Sequence, residues 1–177
     1  MKNYILPFAL GMSVSMVILT RALNAGRNLH SFTQNDDMQF AKNAIEDGRA
    51  EVMFGNLALE QGYAAPVRKF AKMLVSDHQK ANNELEKLLK RKGYTDLPDG
   101  PSVLAKEHHE RIGNLSGAEF DKAFARQMVE DHEKTINVFL RQIEKGEDKQ
   151  LVSWARKTLP TLQNHLAHAR NLVEILN

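Results

Sequence analysis

The sequence predicts an all-α fold, a four-helix bundle whose two helical hairpins are joined by one long crossover. Three observations carry that expectation. Gly and Pro punctuation divides the chain into four stretches that keep the 3.6-residue apolar period of amphipathic helices. The first and last breaks are short, whereas about 24 residues separate the second stretch from the third, which is the connectivity of a bundle with a single long crossover. An internal echo relates those two middle stretches. Phe70-Ala71-Lys72 followed by Leu74 to Lys80 is matched by Phe124-Ala125-Arg126 followed by Met128 to Lys134, always 54 positions later (124 − 70). Two copies are too few for a repeat array and fit two similar helices of one bundle.

The chain begins with Lys2, then seventeen uncharged residues from Tyr4 to Thr20, then Arg21. This reads as an export segment over residues 1–25, either a signal peptide cut after Ala25 or a retained membrane anchor. Residues 26–35 (GRNLHSFTQN) read as a polar linker, and residues 36–177 as the bundle domain. The first helix is expected from Asp36, paired with Gln39 like a capping box, to Gln61, with Gly62 as its stop. The second runs from about Ala64 to Lys92 and ends at Gly93. The turn-rich stretch from Tyr94 to Pro101 opens the crossover, in which residues 102–112 form a short helix. Ser116 and Glu119 have the spacing of a capping box for the third helix, which Gly146 stops. Asp148 caps the fourth, and Pro160 inside it is expected to kink it, since proline lacks an N–H and crowds the preceding turn.

Composition narrows the chemistry. Lys and Arg number 24 against 22 Asp and Glu, a balance that gives no field for a polyanion and argues against nucleic acid as partner. Contact with a membrane is expected only through the N-terminal segment. The chain has no Cys, so disulfides, Fe–S clusters and thiolate sites are excluded, and any metal must be held by His, Asp or Glu. The placement of the seven His then decides the reading.

Stepping about 100° per residue, the apolar arc of the first helix contains Ala44, Gly48, Gly55, Ala58 and Leu59, with Glu51 inside it and Asp47 near its edge. His78 is central among Val67, Ala71, Leu74, Leu85 and Leu89. His132 is central among Ala125, Met128, Val129, Ile136 and Phe139, and His165 among Trp154, Leu162, Ala169, Leu172 and Leu176. Each helix thus aims one ionisable group at the bundle axis. Counting residues from the two short turns places the four groups within roughly one helical turn of a common layer, and Asp47, one turn before Glu51, closes the gap in the first hairpin better, so both acids stand as candidate ligands.

Four such groups in an apolar layer would cost several kcal/mol unless paired, and one cation satisfies them together. Three imidazoles and a carboxylate suit Zn first, and Fe, Mn, Cu or Ni with less defined geometry. Asp77 and Asp131, about 100° round from their neighbouring His, stand where they could accept hydrogen bonds from adjacent imidazoles, and His168 is a spare ligand or a wet seam residue. The competing reading is a metal-free polar network that fixes helix register. His108 and His109 in the crossing helix and His30 in the linker are expected to be solvated, and Gly48 and Gly55 to permit close helix approach.

The Asp77-His78 and Asp131-His132 pairs and the segment Leu159-Pro160-Thr161-Leu162-Gln163-Asn164-His165-Leu166 resemble a bacterial family of exported ferritin-like domains of unknown function, often labelled outer membrane proteins. The resemblance covers residues 36–176. It implies a ferritin-like bundle and places the family's motif on Glu51, Asp77, His78, His132 and His165. No helix carries the Glu-x-x-His pair that gives two irons their ligands in ferritins, so one metal is expected rather than two. The functional expectation is an exported bundle binding a single metal through Glu51, His78, His132 and His165. The alternatives are a metal-dependent oxidoreductase or hydrolase, and a metal-free envelope interaction module.

Overall fold

The computed structural model describes the backbone of residues 14–177 and the side chains from residue 35 onward. Residues 1–13, which hold most of the apolar run read as an export segment, lie outside the described residues, as do the side chains of residues 14–34, including His30. Five helices follow one another: α1 (Val14–Gln61), α2 (Ala65–Arg91), α3 (Val103–Gly113), α4 (Gly117–Lys145) and α5 (Lys149–Leu176). The four long ones form the bundle. α1 pairs with α2 and α4 with α5 as tight hairpins, α1 also packs on α4 and α2 on α5, and the short α3 crosses over α1 and α4. Among the described residues no helix is long and apolar enough to cross a membrane.

α1 differs from expectation. Its backbone stays helical through residues 26–35 and past Asp36, so Asp36 and Gln39 do not open a helix. Gly26 is the stretch's one strong breaker and it lacks Pro, so the local cost, about 1 kcal/mol for a glycine, does not break a long helix. Gln39 instead donates to Asn43 along the same helix. α2 ends as foreseen at Gly93, whose φ of +87° lets the Tyr94 N–H reach the Leu89 carbonyl and the Gly93 N–H the Lys90 carbonyl. Ser116 stands at the N-cap of α4 but its hydroxyl caps nothing, because Gly117 begins the helix at φ +57° and the box geometry is lost. Asp148 does cap α5, accepting from the Gln150 and Leu151 N–H groups. α5 runs on as one helix through Pro160.

Two caps come from across the molecule. Asp121 of α4 is buried and accepts from the backbone N–H groups of Tyr63 and Ala64 (2.9 and 2.7 Å) at the start of α2, which has no cap of its own. Asp37 of α1 is likewise buried and accepts from Gln142 Nε2 and from the N–H groups of Glu147 and Asp148 (2.5, 3.1 and 2.7 Å) in the α4–α5 turn. The reciprocity is positional as well. Asp37 and Asp121 lie 84 residues apart (121 − 37), as do Gly62 and Gly146 (146 − 62) in the turns they serve. A Cβ on Gly146 would stand only 2.9 Å from Asp37 Oδ1, so the absence of a side chain there makes the approach possible.

The core is divided in two. One apolar cluster, around Phe54, Phe70, Leu74, Phe120, Phe124 and Met128, fills the end near the α1–α2 turn. A second, around Phe40, Ile45, Leu85, Phe139, Trp154 and Leu162, fills the other end. Gly48 and Gly55 face α2 at close range: a Cβ on Gly55 would fall 2.7 Å from Val75 Cγ2, and one on Gly48 would strike the Asn82 side chain. Leu59, read as part of the inner arc, is exposed at the edge of that face.

Candidate metal centre

Between the two apolar clusters lies a polar layer, with one residue from each long helix. Along α1, Glu51 falls between Ile45 and Phe54. Along α2, His78 falls between Leu74 and Leu85. His132 of α4 falls between Met128 and Phe139, and His165 of α5 between Leu162 and Ala169. All four are buried, at 6%, 7%, 1% and 0% exposure, figures that ionisable side chains rarely reach without a partner.

The three imidazoles converge, offering ring nitrogens that all lie within 4.8 Å of one another. Their centroids are 5.2 to 5.7 Å apart. Two of the rings have their tautomers fixed from outside the cluster. His132 Nδ1 is 2.8 Å from the Met128 carbonyl oxygen, and His165 Nε2 is 3.0 Å from Asp77 Oδ2. Carbonyl and carboxylate oxygens only accept, so both of these nitrogens carry protons and donate. The remaining nitrogens, His132 Nε2 and His165 Nδ1, therefore present lone pairs to each other across 3.3 Å. His78 adds a buried Nε2 with no hydrogen-bond partner, and Glu51 a buried Oε2 in the same condition.

Electrostatics keeps the cluster neutral. Burial lowers His78 well below the usual imidazole range, and His132 and His165 push in the same direction. Burial, with His165 adding, lowers His132 to about 4 against the opposing bond to Met128. His165 is also lowered by burial, with Asp77 pulling the other way. Glu51 is held well above the carboxylate range by burial first, then by Asp131 and Asp47. Three neutral imidazoles with converging ring nitrogens form a borderline ligand set.

The remaining predicted residues divide. Asp77 takes the expected place behind His165, which orients the ring and raises its basicity. Replacing Asp77 by Ala is expected to weaken binding of a transition metal by roughly 10- to 100-fold in a competition titration, with the helical content unchanged. Asp131 does not hold an imidazole; both of its oxygens accept from Gln127 Nε2 at 3.0 Å, one turn back on the same helix. Glu51 approaches His132 from the Nδ1 side, its Oε1 3.7 Å from that nitrogen, and stands beside the three-imidazole cluster rather than within it. A cavity of about 20 Å³ lined by Glu51, His78 and His132 adjoins it. Asp47 lines the same cavity from an exposed position on α1, and partial desolvation of its carboxyl against the cavity wall, with Asp131 and Glu46, raises it to about 6. His168 points outward and lies against Phe70. His108 and His109 are half-buried rather than solvated, because α3 lies down on α1 and α4, and His109 meets the edge of Phe54.

Sequence reasoning passed over Asp37 and Asp121, the acids that seat the two turns. Their shared 84-residue spacing with Gly62 and Gly146 was the available signal. Gln127, which holds Asp131, was also passed over.

The sequence matches the family described as "Domain of unknown function (DUF4142)" over residues 25–172. A comparison with curated proteins finds no match. Among solved structures, the chain is similar to the "Crystal structure of DUF305 fragment from Deinococcus radiodurans", with a TM-score of 0.68 and 15% sequence identity over 78% of this chain and 95% of that one. At that identity the likeness concerns the fold, and neither description mentions ferritin or the outer membrane.

Proposed function

The chain belongs to the DUF4142 family of unknown function, and we propose that it binds one transition metal ion, Zn first, through His78, His132 and His165, with Glu51 turning in from its place beside the cluster to supply an oxygen. The observation that carries this reading is the pair of facing lone pairs on His132 Nε2 and His165 Nδ1. Left bare, they repel. Two nitrogens bound at about 2.0–2.1 Å to a tetrahedral zinc lie about 3.3 Å apart, so the observed separation fits a shared ion with little movement. The partnerless His78 Nε2 supports the same reading, since a cation would satisfy it, and Glu51 Oε2, also without a partner, has no hydrogen bond to break in turning toward the ion. The small cavity has room for about one water or ligand atom, which favours a binding role over hydrolysis or oxidation of a large substrate.

Elemental analysis of protein purified without a metal-affinity tag tests the proposal. One metal per chain in the wild type and substoichiometric metal in His132→Ala are expected; a metal-poor wild type that cannot be loaded removes the idea in favour of a register-fixing network. Glu51 has its own signature. Burial keeps a proton on its carboxyl to higher pH than usual, and a bound cation expels it, whereas the depressed imidazoles have none to lose at neutral pH. Metal binding by the wild type is therefore expected to release more protons than binding by Glu51→Gln. The difference shrinks as pH rises through the raised value of Glu51, where the folded protein no longer holds that proton. Equal release by the two proteins would place Glu51 outside the ligand sphere.

The proposal extends to location. The apolar run between Lys2 and Arg21 supports export to the cell envelope, with the bundle of residues 36–177 outside the cytoplasm. Fusing residues 1–35 to a reporter that folds only outside the cytoplasm checks it, an inactive fusion being the adverse result.

A further inference from the structure

A larger cavity of about 220 Å³ opens under α3, between α1 and α4, and three carboxylates line it: Asp47, Glu51 and Asp131. Glu51, Asp47 and Thr135 also line the small cavity at His78 and His132, so these residues form the wall between solvent and the imidazoles. Glu51 is the one that is buried, and its Oε2 has no partner. Lys134, also at the rim, is engaged by Glu130 at 2.6 Å. A third and larger cavity, of about 770 Å³ between α1, α2 and the crossover, shares only Asn82 with the small one. Asn82 is buried and donates to the Ile45 carbonyl, which closes that side.

We propose that the acidic cavity under α3 is the loading vestibule through which a divalent cation reaches the three imidazoles, with Asp47 and Asp131 attracting the ion and Glu51 passing it inward. This rests on the metal-binding reading and adds to it a route and a rate. The three carboxylates outnumber Lys134 and His108 in the lining, and a cleft with an excess of one sign of charge focuses the field and raises the local concentration of a counter-ion, which speeds association by roughly 10- to 1,000-fold and makes it sensitive to salt. The vestibule thus makes the ion exchangeable, although its final ligands are buried.

The single tryptophan provides the readout, because Trp154 lines the small cavity beside His78 and His132. The metal-free full chain is mixed rapidly with Co²⁺ alone, and the quenching of Trp154 is followed at several ionic strengths. The wild type is expected to load quickly and to slow as salt rises. Asp47→Asn combined with Asp131→Asn is expected to load about tenfold more slowly or worse, with a flatter salt dependence and the same one-to-one end point. Leu104 lines the vestibule and is 61% exposed, so changes there leave the core alone. Leu104→Lys is expected to slow loading and Leu104→Glu to speed it. Unchanged rates in all three variants overturn the vestibule while leaving the metal site standing. Loss of stoichiometric binding in the double variant also overturns it, by making the two acids ligands. A wild type that takes up no Co²⁺ at any concentration removes site and vestibule together.

Discussion

Replacing His78 by Leu is expected to stabilise the metal-free chain by about 1–3 kcal/mol and to weaken transition-metal binding by about 100-fold or more. The first effect follows from His78 Nε2, which is buried without a partner and so carries an uncompensated desolvation cost. Leu has nearly the same volume, and its neighbours in the stripe are Leu74 and Leu85. The second effect follows from the loss of one ligand in about four. Binding free energies of roughly 10–16 kcal/mol for a structural zinc site imply about 3 kcal/mol per ligand, or about 100-fold in affinity. The opposite signs are the diagnostic feature, because a residue kept for packing or register would destabilise the metal-free chain when removed. Urea denaturation in the presence of a chelator measures the first, and competition with a chelating dye the second. A metal-free His78→Leu protein clearly less stable than the wild type would show that His78 belongs to a satisfied network.

Asp37→Ala is expected to destabilise the fold by about 3 kcal/mol, seen as a lower urea midpoint with an unchanged slope. Its carboxylate accepts from one side-chain and two backbone donors in the α4–α5 turn, and the residue is 4% exposed. Alanine removes the shared acceptor of one buried side-chain donor and two part-buried backbone donors at once. The metal site lies more than three turns further along α1, at Glu51, so stoichiometric binding under native conditions is expected to survive. A loss below about 1 kcal/mol would mean that solvent takes over the turn.

The four long helices were legible because each carries an apolar stripe broken by Gly, Pro or Asp at its ends, and stripe position alone put His78, His132 and His165 on the axis. Pairing was legible too, since short turns force antiparallel neighbours. What failed were judgements that depend on neighbours. The polar composition of residues 26–35 reads as a linker, yet nothing in it forbids helix. Ser116 and Glu119 have the right spacing for a capping box, but the conformation of Gly117 decides whether the hydroxyl reaches the amide. A helical wheel gives the angle of Asp131, and cannot reveal that Gln127 would reach it before any imidazole does. Asp37 was hidden for the same reason, since its partners lie 105 to 111 positions away.

Because Asp37 serves the turn of the other hairpin and Asp121 serves the turn of its own counterpart in exchange, neither half of the molecule contains everything needed to finish itself. A chain nicked in the crossover between residues 94 and 101 should reassemble from its fragments in equal proportion, while either fragment kept by itself remains open at its bend. Such mutual dependence couples the halves into one cooperative unit, so that the ring nitrogens drawn from three different helices come together only once the whole has formed.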